Sequence, residues 1–186
     1  IELDTPLAEK QRFLVGAQKV MKLDLVEQMV LDAGQQQALV ATALDAAAGA
    51  GCHAAVIADF GLGMMTPAML AALCKGLRPS VGVLTGDVSG RRSSLRAMTG
   101  MDLVCPSEAE LRDSLRLYGE GLSLVAWRLL EETGSRSAVV TMGADGLIAF
   151  DRLSETEAPA PAAGAWQTRL SAEHVPALCP MALDPL

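Results

Sequence analysis

Ala54-Ala55-Val56-Ile57-Ala58-Asp59-Phe60-Gly61-Leu62-Gly63-Met64-Met65-Thr66-Pro67 is the stretch on which the fold turns. An unbroken apolar run ends in Asp59 and a glycine-rich turn follows. Thr66-Pro67 then supply an N-cap and a proline for the first helical turn, which predicts a helix running to about Leu77. The same grammar repeats downstream. Val81-Gly82-Val83-Leu84-Thr85 leads into Gly86-Asp87, and Met101-Asp102-Leu103-Val104-Cys105 leads into Pro106-Ser107. A helix from Ser107, another over Leu122–Glu132, and apolar runs at Ser137–Thr141 and Leu147–Phe150 complete the pattern. Apolar runs separated by helices predict strands buried on both faces, in a mostly parallel sheet of a layered α/β fold. Ligands of such folds sit beyond the carboxyl ends of the strands, where Asp59, Asp87, Ser107 and Thr141 fall.

Upstream of this region, Phe13-Leu14-Val15 and Lys19–Asp24 read as two short strands joined by Gly16-Ala17-Gln18, a hairpin. Gln35–Ala48 is built of strong helix formers, with Gly49 and Gly51 as stop signals. Ser154–Gly164, rich in Ala, Pro and Glu, reads as a surface loop, and no internal repeat is visible. His53 and His174 have no neighbours for a triad or metal site, and Met64, Met65 and Met69 read as core filler.

Composition narrows the function classes. The chain has 186 residues, 51% apolar and 20% charged, enough for one domain that buries roughly 70% of its unfolded surface. Fifteen basic residues against 22 acidic ones leave a net charge of −7, with no Lys/Arg stripe to neutralise a phosphate backbone, so nucleic acid is not an expected partner. No apolar stretch is long enough for a membrane span, and the N-terminal residues lack a signal-peptide pattern. Cys52, Cys74, Cys105 and Cys179 lie far apart, which predicts reduced, buried thiols in a cytoplasm and no structural zinc.

Three local patterns carry chemistry, each with a plain structural counterpart. Gly61-x-Gly63 with Asp87 after the next strand imitates a dinucleotide fingerprint. The third glycine is replaced by Thr66, so a tight strand-to-helix turn competes with that reading. Ser107-Glu108-Ala109-Glu110 is a capping box; alternatively, Glu110 at the sheet rim orders water around a Mg²⁺ that bridges nucleotide phosphates. Thr141-Met142-Gly143-Ala144-Asp145-Gly146 is either a glycine-rich hairpin turn or a loop whose exposed amides meet a nucleotide. Arg91, Arg92 and Arg96 read as a solvated basic turn, with a substrate phosphate as the alternative.

The order of these elements, Asp59-Phe60-Gly61-x-Gly63, Gly86-Asp87, Cys105-Pro106-Ser107-x-x-Glu110, Thr141-x-Gly143-x-x-Gly146 and Asp184-Pro185-Leu186, resembles the PfkB/ribokinase family of carbohydrate kinases. Gln18–Asp24 adds a likeness to the heptose 7-phosphate kinase domain of ADP-heptose synthases. The resemblance implies a Rossmann-like ribokinase fold, a mostly parallel sheet flanked by helices, incomplete at both ends. Residues 1–26 would form a lid-like or dimerisation hairpin, and residues 27–186 a partial kinase core with a nucleotide-binding edge. It implies phosphoryl transfer from ATP, with Mg²⁺, to a hydroxyl of a sugar or sugar phosphate.

By that resemblance Ser107, Glu110, Thr141, Gly143 and Gly146 meet the nucleotide, Glu110 also supports the metal, and Asp59 and Lys22 contribute to the sugar side. A homodimer joined through the hairpin is implied as well. The family's usual Asn is Ser107 here, and Leu62 stands where heptose kinases carry a basic residue. The family's catalytic Asp belongs to a Gly-Ala-Gly-Asp motif expected just after Leu186, so these 186 residues hold no catalytic base and no turnover is expected of them alone. Two other readings stand beside this one: a nucleotide-cofactor oxidoreductase resting on Gly61-x-Gly63 and Asp87, and a non-catalytic remnant of a kinase fold.

Overall fold

A computed structural model describes residues 9–16, 18–25, 29–89, 94–153 and 165–178. Arg91, Arg92, the Ser154–Gly164 loop, Cys179 and Asp184-Pro185-Leu186 lie outside the described residues.

Strands β1 (Glu9–Val15) and β2 (Gln18–Leu25) pair antiparallel, with a register shift between Phe13 and Leu14. Helix α1 (Ala33–Gly49) opens with a capping box in which Asp32 accepts the Gln35 amide at 2.8 Å and Gln35 answers the Asp32 amide. The repeating unit then begins. Strand β3 (Ala54–Asp59), helix α2 (Pro67–Leu77), strand β4 (Val83–Val88) and strand β5 (Leu103–Cys105) follow in turn. Helices α3 (Glu108–Leu115) and α4 (Leu122–Thr133) precede strand β6 (Ser137–Thr141). Strands β7 (Leu147–Arg152) and β8 (Leu170–Val175) close the sheet.

The six strands stand in order β3-β4-β5-β6-β7-β8. β3 to β6 pair in parallel, and β7 and then β8 are added by antiparallel pairing, so that β7 alone runs against the other five. This is the mostly parallel α/β sheet expected of the sequence, with β8 as an added edge strand. Strand β4 starts two residues later than its apolar run. Val81 and Gly82 are held in the turn after α2 instead, where Arg78 donates to both their carbonyls at 3.0 Å. Arg78 also bonds Asp102 at 2.7 Å, and Asp102 accepts the Leu84 amide at 2.7 Å. The guanidinium and that amide hold the Asp102 carboxyl below the usual range.

The expectation of burial on both faces is corrected. Registered neighbours Ile57, Gly86, Val104, Ala138 and Phe150 share one face. They meet Leu70 and Leu73 of α2, Leu111 of α3 and Leu129 and Leu130 of α4 in a single core. Each fully buried leucine there contributes roughly 1.5–3 kcal/mol. On the opposite face Val56 is 69% and Val83 46% exposed. Alternation of burial along β3 and β4 is that of a half-covered sheet. A short run of Ala and Val cannot distinguish the two cases, because both faces look apolar.

Candidate functional site

The parallel order of β3 to β6 brings their carboxyl ends to one rim. Beyond β5 and β6 the chain stays in register: Ser107 and Thr141 form an isolated parallel bridge, and Thr141 donates its amide to the Pro106 carbonyl at 3.1 Å. Ser107 caps α3, accepting the Glu110 amide at 3.3 Å, while Glu110 Oε2 receives the Ser107 amide at 2.8 Å and its hydroxyl at 2.7 Å. The capping box is therefore present, and it orients the Glu110 carboxylate on the rim. Burial pushes the neighbouring Cys105 thiol up, with Asp87 adding to the effect, so it stays protonated at neutral pH. Of the thiols expected to be buried, Cys74 is, whereas Cys52 and Cys105 are half-buried.

The two loop glycines differ. Gly143 has φ +61 and nothing within 4 Å of where a Cβ would stand, so it is exposed and open to close approach beside exposed Thr141. Gly146 has φ +89, and a Cβ there would collide with the Val175 carbonyl and lie 2.6 Å from the Ala177 amide nitrogen. Gly143 is thus available to a ligand, whereas Gly146 lets β8 close against the loop. His174 reinforces that closure, with Nε2 2.8 Å from the Asp145 carbonyl. β6 and β7 do form the glycine-turn hairpin, and the turn still presents Thr141 and Gly143 outward. Ser107, Glu110, Thr141 and Gly143 converge on one edge.

The two sugar-side candidates lie elsewhere. Asp59 is 4% exposed at the end of β3, and its oxygens accept the amides of Gly61 at 2.9 Å and Ser94 at 3.2 Å. Its carboxylate shapes the turn. That geometry also counts against the dinucleotide reading, because the Gly61 amide that would approach a pyrophosphate is already bonded. Thr66 caps α2 as expected, accepting from the Met69 amide at 3.2 Å. Lys22 is exposed on the hairpin, 3.1 Å from Asp24. Arg96, at the far end of the basic turn, is paired with Glu132.

Lys10 of β1 and Met29 after the hairpin, neither named from the sequence, reach the turn after β3. Lys10 Nζ stands 5.6 Å from the centre of the Phe60 ring, and the Met29 amide donates to Leu62 at 3.1 Å. Among the described residues no group of three or more His, Cys, Asp or Glu can hold a metal ion. The oriented Glu110 suits an ion that arrives with nucleotide phosphates and keeps most of its water.

No protein-family model matches the chain. A bifunctional protein HldE from Azorhizobium caulinodans is 28% identical over 121 residues, covering 64% of this chain and 24% of that protein. A mutant phosphofructokinase-2 from Escherichia coli superposes with a TM-score of 0.58 at 17% identity, over 83% of this chain and 46% of its own. Ribokinase from Giardia lamblia gives 0.56 at 10% identity, over 93% and 49%. The fold is ribokinase-like. The chain spans about a quarter of the curated relative and under half of each structural neighbour. No helix among the described residues is long and apolar enough to cross a membrane.

Proposed function

We propose that this chain forms the nucleotide edge of an ATP- and Mg²⁺-dependent kinase acting on a hydroxyl of a sugar or sugar phosphate, similar to heptose 7-phosphate kinases. The observation that carries this reading is the convergence of Ser107, Glu110, Thr141 and Gly143 on one carboxyl rim of a ribokinase-like sheet. Thr141 and the Gly143 amide would hold phosphate oxygens, since a glycine without a Cβ neighbour lets backbone donors approach closely. Ser107 acts through the cap, giving its amide and hydroxyl to Glu110 and so fixing that carboxylate on the rim. Glu110, held by the cap, would order water on the Mg²⁺ that accompanies the nucleotide. Gly146 supports the loop from behind, and Asp59 sets the turn beneath the hairpin on the acceptor side, where Lys22 is the exposed contact.

Phosphoryl transfer depends on positioning and charge stabilisation, and this edge supplies the positioning half for the donor. The hairpin's apolar face, with Phe13, Met21, Leu23 and Leu25 all at least 40% exposed, suits a homodimer joined through β1 and β2. The free thiols suit a cytoplasmic setting.

The test is calorimetric titration of the chain with a non-hydrolysable ATP analogue and Mg²⁺, together with a transfer assay on the full-length protein that contains it. Gly143→Val, which fills the open approach, is expected to weaken nucleotide binding about tenfold or more. Heptose 7-phosphate is expected to be the better acceptor than fructose 6-phosphate. An unchanged affinity in Gly143→Val would overturn the assignment of the rim.

A further inference from the structure

The turn between β6 and β7 hangs between two glycine hinges. Gly143 stands at φ +61 and Gly146 at φ +89, with only Ala144 and Asp145 between them. Glycine gives the backbone its widest choice of conformation, and a single turn of 3₁₀ helix has few bonds of its own. The Asp145 and Gly146 amides reach the Met142 and Gly143 carbonyls at 3.3 and 3.2 Å, the long end of the usual range. The Met142 amide closes the neck more firmly, on the Gly146 carbonyl at 2.8 Å. These local bonds close the turn and leave its tilt against the rim to be set from outside.

Edge strand β8 supplies the outside contact. In register His174 lies across from Ile148, yet its Nε2 reaches back to the Asp145 carbonyl at 2.8 Å. Among the described residues no backbone amide serves that carbonyl. His174 is itself exposed, so the core makes no demand for an imidazole at this position. We infer that His174 is a positioning residue for the nucleotide turn: by holding the Asp145 carbonyl between the two hinges, it sets the angle at which Gly143 is presented beside Thr141. A carbonyl oxygen only accepts, so the ring must carry a proton on Nε2. An exposed bond of this kind adds little to global stability, and its effect falls on the conformation of the turn. The nucleotide half of this inference rests on the kinase reading above; the tether does not.

The experiment uses the full 186-residue chain and two substitutions chosen by reach. His174→Gln returns an N–H donor near the place of Nε2, and His174→Asn stops one methylene short of it. In the parent chain, ¹⁵N NMR of the neutral ring is expected to find the proton on Nε2. In calorimetric titration with a non-hydrolysable ATP analogue and Mg²⁺, His174→Asn is expected to weaken binding about three- to tenfold, with His174→Gln within about twofold of the parent. Amide hydrogen exchange at residues 143–146 is expected to quicken in His174→Asn alone, while all three chains share one urea midpoint. A proton on Nδ1, or parental exchange rates in His174→Asn, overturns the tether. Parental affinity in His174→Asn, or equal losses in both variants, overturns the positioning role. A parent chain that does not bind the analogue sinks the kinase reading and the nucleotide half of this inference with it, and the ring proton and the exchange rates then decide the tether by themselves.

Discussion

The turn after β3 and the turn after β6 look alike on paper, each a strand end followed by glycines, and they do opposite things. The first closes on itself: Asp59 is buried and takes the amides of Gly61 and Ser94. The second stays open at Gly143 and is braced from behind at Gly146. A strand-to-helix turn with its own internal carboxylate has spent the donors that an incoming anion needs. A turn stiffened by a distant strand keeps them.

Substitution of the two glycines in the second turn breaks the comparison most sharply. Gly146→Ala puts a methyl group into the Val175 carbonyl at a positive φ, and a loss of about 3 kcal/mol or more is expected, read by urea denaturation. Gly143→Ala meets no atom and carries only the left-handed backbone penalty, about 1–2 kcal/mol. Equal losses would mean that the two glycines share one role.

Asp59→Asn tests the first turn. An amide can accept from Gly61 with its oxygen, but its NH₂ then faces the Ser94 N–H. A stability loss of about 2 kcal/mol is expected, with nucleotide affinity unchanged in the same calorimetric titration. A fall in nucleotide affinity would show that the two turns form one site.

The smallest expected stability effect comes from Glu110→Gln, which keeps the capping box because Gln serves at that position as well as Glu. Stability should stay within about 0.5 kcal/mol, while the gain in nucleotide affinity on adding Mg²⁺ shrinks. A Mg²⁺ response identical to that of the parent chain would leave Glu110 with the cap alone.

Much of the site was legible because its signals are local. Ser107-x-x-Glu110 specifies a cap by spacing, and the cap forms. Thr66-Pro67 starts α2 where the rules for helix entry place it. Thr141-x-Gly143-x-x-Gly146 marks a turn that needs glycine twice. The separate reasons for those two glycines were not legible, since one depends on β8, some thirty residues further along the chain. Asp59 shows the same limit. A rim acid reads as a ligand contact until Ser94 is seen to arrive beside it.

The sequence by itself determined the succession of strands and helices, their caps and the acidic balance, because propensity, periodicity and capping act over a few residues. Tertiary structure alone decided which face of the sheet carries the helices, which glycine is open, and which amides the Asp59 carboxylate takes. Each of these depends on register and packing between segments distant in the chain, and a one-residue slip in strand register reverses every side chain on it.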